Sequence, residues 1–175
     1  MPGELPVAAR DAVSWLQRES GTPLREPIGV IGPRAATGSQ LASAEAIGGG
    51  LARMGLAVIC GGRQGVMEAV AKGAAEAGGT AIGLLPEADT REANRHLTFA
   101  IATGIGEARN ALIARASFCL IAIGDSYGTL SEVALGLQFG KPVFGLEGAA
   151  RLEGVRHCLD PDEALDRVAL HVLGL

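Results

Sequence analysis

Short apolar runs of strand length alternate along the chain with Ala-rich stretches of helical period, the pattern of parallel strands joined by helices. Residues 5–19 predict an amphipathic helix with Val7, Trp15 and Leu16 on its apolar side. Pro23 and Pro27 mark a linker behind it. The runs at 28–31, 56–60, 80–84, 118–123 and 142–146 predict strands, and 97–102 a shorter one. Helices are predicted over 39–54, 66–77, 106–116 and 129–139. Residues 86–96 are polar, carry Pro86 and predict a loop, whereas 154–159 fit neither helix nor strand clearly. Asp160 followed by Pro161 predicts the cap and first position of a last helix running to about residue 171. No internal repeat or second linker divides the chain. The expected fold is therefore α/β, a Rossmann-like parallel sheet with helices on both faces, in one domain over 1–175. Its parts are a helix and linker (1–24), a core (28–146) and a C-terminal helix (160–172).

Composition narrows the function classes. With 48% hydrophobic and 19% charged residues among 175, the chain can bury a core and does not read as disordered. The net charge is -4, with no basic run and one Trp and one Tyr, which argues against nucleic acid as a partner. Gly, Arg or Glu interrupts every apolar run before it reaches membrane-spanning length, and the N-terminus lacks signal-peptide features. Cys60, Cys119 and Cys158 are odd in number and widely spaced, as expected of buried reduced thiols in a cytoplasmic protein. His96, His157 and His171 show no ligand spacing, so no metal site is expected.

The candidate chemistry lies in the turns at the strand ends. Gly32 to Ser39 comes after the first strand, Gly61-Gly62-Arg63-Gln64-Gly65 after the second, Thr103-Gly104-Ile105-Gly106 after the fourth, and Gly124-Asp125-Ser126-Tyr127-Gly128-Thr129 after the fifth. In an open parallel sheet these turns share one edge, where ligands bind. Glycine permits close backbone approach, and the helix behind each turn presents unpaired N–H groups and a dipole favouring an anion. Ser39, Thr103, Ser126 and Thr129 add hydroxyls. The expected ligand is small and phosphorylated. Residues 136–141 read GLQFGK but run into Pro142, so they are not a phosphate loop, and no GxGxxG stands after the first strand.

At these residues the chain resembles the LOG-like (SLOG) superfamily, whose founding members are cytokinin-activating phosphoribohydrolases once labelled lysine decarboxylases. Residues 124–132 stand where those enzymes carry PGGxGTxxE, Arg109-Asn110 where they carry Arg-Lys, and residues 61–70 resemble their GGxxGxMxAV turn. The resemblance covers 28 to about 146. Arg109-Asn110 together with Gly-Lys-Pro-Val (140–143) is similar to a branch near the molybdenum cofactor carrier proteins. Asp125 and Asn110 depart from the hydrolase pattern.

The resemblance implies Arg109 and Glu132 as a catalytic pair that cleaves the N-glycosidic bond of a nucleoside 5′-monophosphate such as AMP to base and ribose 5-phosphate. Glu132 would stabilise positive charge on the ribose ring, with no metal or other cofactor required. The alternative is a non-catalytic carrier of molybdenum cofactor, a phosphopterin. A nucleotide sensor has no specific feature in its favour. The implied ligand-binding residues are Gly32, Ser39, Gly61, Gly62, Gly65, Met67, Thr103, Gly104, Gly106, Asp125, Ser126, Tyr127, Gly128 and Thr129. A homo-oligomer, dimer or tetramer, is implied as well.

Plainer readings stand beside these. Thr129 to Glu132 fits a capping box, Arg109 an exposed helix-face ion pair, Ser39 a helix cap and Met67 core packing. Asn94 reads as solvent-exposed, and Arg34 as either a surface residue or a lid. The Ala/Gly-rich faces of 42–52 and 69–77 suit close packing, between subunits or onto the sheet. Lys72 and Lys141 are the two lysines and neither lies on a ligand turn, so lysine-based decarboxylation is rejected.

Overall fold

The computed structural model describes residues 8–175. Seven strands, β1 (Ile28–Ile31), β2 (Val58–Cys60), β3 (Ala81–Leu85), β4 (Phe99–Ala102), β5 (Leu120–Ile123), β6 (Val143–Leu146) and β7 (Val155–His157), form one sheet in the order β4-β3-β2-β1-β5-β6-β7. Every neighbouring pair is parallel. The chain steps outward from β1 to β4, then returns to β5 on the other side of β1. The carboxyl ends of β1 and β5 therefore flank the point where winding reverses, the place where such sheets open a crevice.

Six helices cover both faces: α1 (Ala9–Arg18), α2 (Gly38–Arg53), α3 (Val66–Glu76), α4 (Arg109–Ala116), α5 (Tyr127–Gln138) and α6 (Pro161–Val172). Alternation along the strands builds two cores. Ile28, Val30, Val58 and Ile121 pack with α2, α3 and α6, whereas Ile31, Ile59, Leu120 and Ala122 pack with α4 and α5. β1, β2, β5 and β6 are buried throughout. β4 is exposed along its length because it is an edge strand.

Two expectations change here. In α1 the residue facing the core is Val13, fully buried, while Trp15 is 60% exposed. Val7 lies outside the described residues. Arg10 fastens α1 to α6 through Asp162 (3.0 Å) and Asp166 (2.7 Å). The small-residue faces of 42–52 and 69–77 meet each other: a Cβ on Gly48 would collide with the α3 backbone, and one on Gly73 with the α2 backbone. They serve helix-on-helix contact within the chain. Segment 155–157 resolves as the edge strand β7. Asp160 caps α6, accepting from the Glu163 N–H at 2.8 Å, with Pro161 in the first turn.

Candidate functional site

The start of α5 is built by Ser126, an extended residue whose hydroxyl accepts the Thr129 N–H at 3.1 Å. The first backbone bond of the helix runs from Leu130 N–H to Ser126 O. The N–H groups of Tyr127 and Gly128 thus have no partner within the helix, and they carry the positive end of its dipole. Around Gly128 nothing approaches a would-be Cβ closer than 3.9 Å. Asp125, Ser126, Gly128 and Thr129 line a cavity of about 510 Å³ at the carboxyl end of β1 and β5. The Tyr127 side chain turns away, 95% exposed.

Because Ser126 is the cap, Glu132 lies in the second turn of α5, and the capping-box reading of Thr129 and Glu132 is overturned. Glu132 is buried and its Oε1 lies 3.6 Å from Arg109 Nη1. Arg109 is also buried, not on an exposed face, because α4 begins beneath the turn after β2. Its guanidinium donates to Asn110 Oδ1 and, at 3.4 Å, to the Gly61 carbonyl. A Cβ at Gly61 would stand 2.7 Å from Arg109 Nη2 and 2.6 Å from Met67 Sδ, so glycine there makes room for the guanidinium. Asn110 donates to Ser131 Oγ (3.1 Å), which donates to the Gly128 carbonyl (2.6 Å), tying the pair to the first turn of α5.

Burial pushes the Glu132 carboxyl up to about 8, with Arg109 pulling the other way and Glu107 adding to the rise. Burial also lowers the Arg109 pKa, against the pull of Glu132. Burial thus favours the protonated carboxyl, while the Arg109 charge beside it favours the ionised one. Arg109 Nε is buried without a hydrogen-bond partner. Cys60, beneath Met67, is fully buried, its Sγ 3.8 Å from the Met67 carbonyl, and burial pushes its thiol up to about 11.

The four glycine turns do share one sheet edge, yet they do not contribute equally. Gly32, Gly61 and Met67 line the cavity, and so does Arg34. Met67 also belongs to the core. Gly62 and Gly65 do not line it. Gly65 has φ +70°, which brings Val66 N–H onto the Pro33 carbonyl at 3.1 Å and uses the first donor of α3. Thr103, Gly104 and Gly106 are likewise outside the lining. Thr103 gives its N–H and its hydroxyl to Leu85 O, Gly104 N–H goes to Glu87 O and Gly106 N–H to Pro86 O, so no donor of these remains for a ligand.

Ser39 is neither a cap nor a lining residue. Thr37 caps α2 in a capping box with Gln40, and the Ser39 hydroxyl donates to Glu147 Oε2 at 2.8 Å. Asn94 is buried, not solvent-exposed: its amide donates to the Gly62 (3.2 Å) and Arg63 (3.0 Å) carbonyls. Arg63, Glu107 and Asn110 line the cavity although the sequence pattern does not mark them as ligand residues. For Asn110 the Arg109-Asn110 pair is the one available signal. Arg63 and Glu107 sit beside turn glycines, and nothing in their spacing sets them apart.

Comparison with known proteins agrees with this architecture. Residues 25–168 match the SLOG cluster4 family. An uncharacterized protein of Archaeoglobus fulgidus is 40% identical over 139 residues, 79% of this chain and 91% of its own length. The molybdenum cofactor binding protein of Rippkaea orientalis superposes with a TM-score of 0.81 at 36% identity, over 85% of this chain and 99% of its own. The molybdenum cofactor carrier protein of Chlamydomonas reinhardtii gives a TM-score of 0.78 at 35% identity, over 86% and 100%.

Proposed function

The chain belongs to the SLOG cluster4 family, and from that premise we propose that it binds molybdenum cofactor, a phosphorylated pterin, as cargo and performs no chemistry on it. The observation that carries this reading is the open start of α5. The first turn of α5 leaves the Tyr127 and Gly128 N–H groups without helical partners, and Ser126, Gly128 and Thr129 line a cavity of about 510 Å³, in a chain similar to two proteins that bind or carry that cofactor. The phosphate monoester would sit on the Tyr127 and Gly128 N–H groups, which suit a dianion. Arg109, its Nε without a protein partner, would add charge. Asn110 and Ser131 hold this turn and Arg109 in one register.

The test is isolation from a host that makes the cofactor, with oxidised pterin read by fluorescence and molybdenum by mass spectrometry. The expected result is pterin in the wild-type protein and its loss when Gly128→Val fills the open space at α5. Wild-type protein free of pterin would end this reading.

A second reading has its own observation. Glu132 and Arg109 form a buried pair at the cavity, with the carboxyl pushed up to about 8. That is the pairing expected for hydrolysis of a nucleoside 5′-monophosphate to base and ribose 5-phosphate, in which positive charge builds on the ribose ring. Glu132→Gln distinguishes the two. An enzyme loses release of base from AMP while still binding it, whereas a carrier shows no release in either form.

A further inference from the structure

One charged group at the cavity has no role in holding the cargo phosphate. Arg63, on the turn after β2, lines the cavity with its side chain 19% exposed. Its guanidinium contacts Glu87 from the loop after β3, and Glu107 Oε1 lies 4.0 Å from Nη1. The contact is incomplete: Arg63 Nε and Glu87 Oε2 are both buried with no hydrogen-bond partner. A guanidinium and a carboxylate can make two parallel bonds, and burying polar atoms without them costs stability. The pair is thus held in place without being fully satisfied. What holds it is the loop itself, clamped to the same turn by Asn94 on the Gly62 and Arg63 carbonyls and by the Asn94 N–H on Gly62 O at 2.9 Å.

Arg63 stands behind β2 and the open helix start behind β5, with β1 between them. Two strand spacings separate their backbones, about 10 Å, so the cavity has a donor group at each end. Its lining carries Arg34, Arg63 and Arg109 against Glu107, Asp125 and Glu132.

We propose that Arg63 is a second anion grip of this cavity, held in reserve by Glu87, and that an arriving anionic group takes the guanidinium over from that carboxylate. The proposal rests on the cargo reading for the α5 end and names what the other end takes: an oxyanion or other anionic group on the same ligand, about two strand spacings from its phosphate. Glu87 then acts as an internal competitor that excludes weakly charged ligands.

The experiment is titration of the full chain with inorganic phosphate, monitored by NMR at the Tyr127 and Gly128 amides and at the Arg63 Nε–H. Two separate responses are expected. Glu87→Gln tightens the Arg63 response about tenfold, the scale of one charge removed from a partly buried site, and leaves the α5 response unchanged. Glu107→Gln, at an exposed side chain, gives a smaller gain in the same direction. Arg63→Gln abolishes the second response and leaves the first. An Arg63 response that is missing, or is not tightened by Glu87→Gln, while the α5 amides respond overturns this proposal alone. A response at Arg63 without one at α5 upholds it and removes the phosphate site at the α5 start. Silence at both overturns both.

Discussion

The starts of α2 and α5 are made by the same capping chemistry and are put to opposite use. Thr37 caps α2 and Ser126 caps α5, each accepting the N–H three residues on. At α2 the chain supplies its own anion. The Glu147 carboxylate accepts from Ser39 (2.8 Å) and Ser43 (2.7 Å), and its carbonyl accepts from Gln40 Nε2 (3.1 Å). To sit there Glu147 adopts φ +56°, the one positive φ outside glycine among the described residues. At α5 the carboxylate at hand is that of Asp125, which accepts the Ser126 N–H at 2.9 Å just ahead of the helix and lines the cavity. Among the described residues no carboxylate bonds the Tyr127 or Gly128 N–H, and Gly128 borders the cavity. Glu147 is tied to the α2 start through hydroxyls of its first two turns, so the two helix starts differ in whether an acidic side chain from a distant loop is fastened across them.

The comparison can be broken most severely through the charge beneath α5. Arg109→Ala leaves the Glu132 carboxylate buried without its partner wherever it is ionised, and the expected loss reaches about 3 kcal/mol above about pH 8, read by urea unfolding. The loss grows with pH. The Glu132 carboxyl titrates near 8 in the fold against 4.5 ordinarily, so the folded state binds more protons between those values. Its contribution to stability is full below about 4.5 and is lost as pH rises through about 8. Glu132→Gln should flatten that part of the dependence of Tm on pH. A Tm that rises over that range in the wild type, but not in Glu132→Gln, would contradict the assignment.

A milder change makes α2 resemble α5. Glu147→Gly removes the internal anion and relieves the positive φ. The two effects oppose each other, leaving a net loss of about 1–2 kcal/mol. The freed α2 start should then take up sulfate, seen as a second set of amide shifts at Gly38 and Ser39. Wild-type amides there should stay still, and equal shifts in both proteins would defeat the comparison. The smallest effect is expected from Ser126→Ala, about 1 kcal/mol of stability for the lost cap. It should come with weaker phosphate binding at Gly128 and unchanged shifts at α2.

Much of the frame is legible in the sequence because burial on both faces forces continuous apolar strands, and β1 falls at residues 28–31 as its pattern predicts. Segment 155–157 is not, since an edge strand needs no continuous apolar run. The local pattern puts the start of α5 two residues too late. Thr129-x-x-Glu132 and Ser126-x-x-Thr129 offer overlapping frames, and the positive φ of Gly124 ends the strand early enough for Ser126 to win. For the site, glycines point to the correct sheet edge without telling which turns keep free donors. That depends on the 85–87 carbonyls reaching Thr103, Gly104 and Gly106, and on Glu147 reaching Ser39 across 108 residues. Such contacts belong to the tertiary structure and leave no local trace.

Cys60, packed against the Met67 that lines the cavity, is a built-in clock. A thiol wholly enclosed and held up to about 11 presents almost no thiolate to an alkylating reagent. Its labelling must therefore wait for β2 and α3 to part, and the pace of labelling reports how often that happens. Cargo seated above Met67 should slow it, so the same sulfur would register occupancy without any added tag.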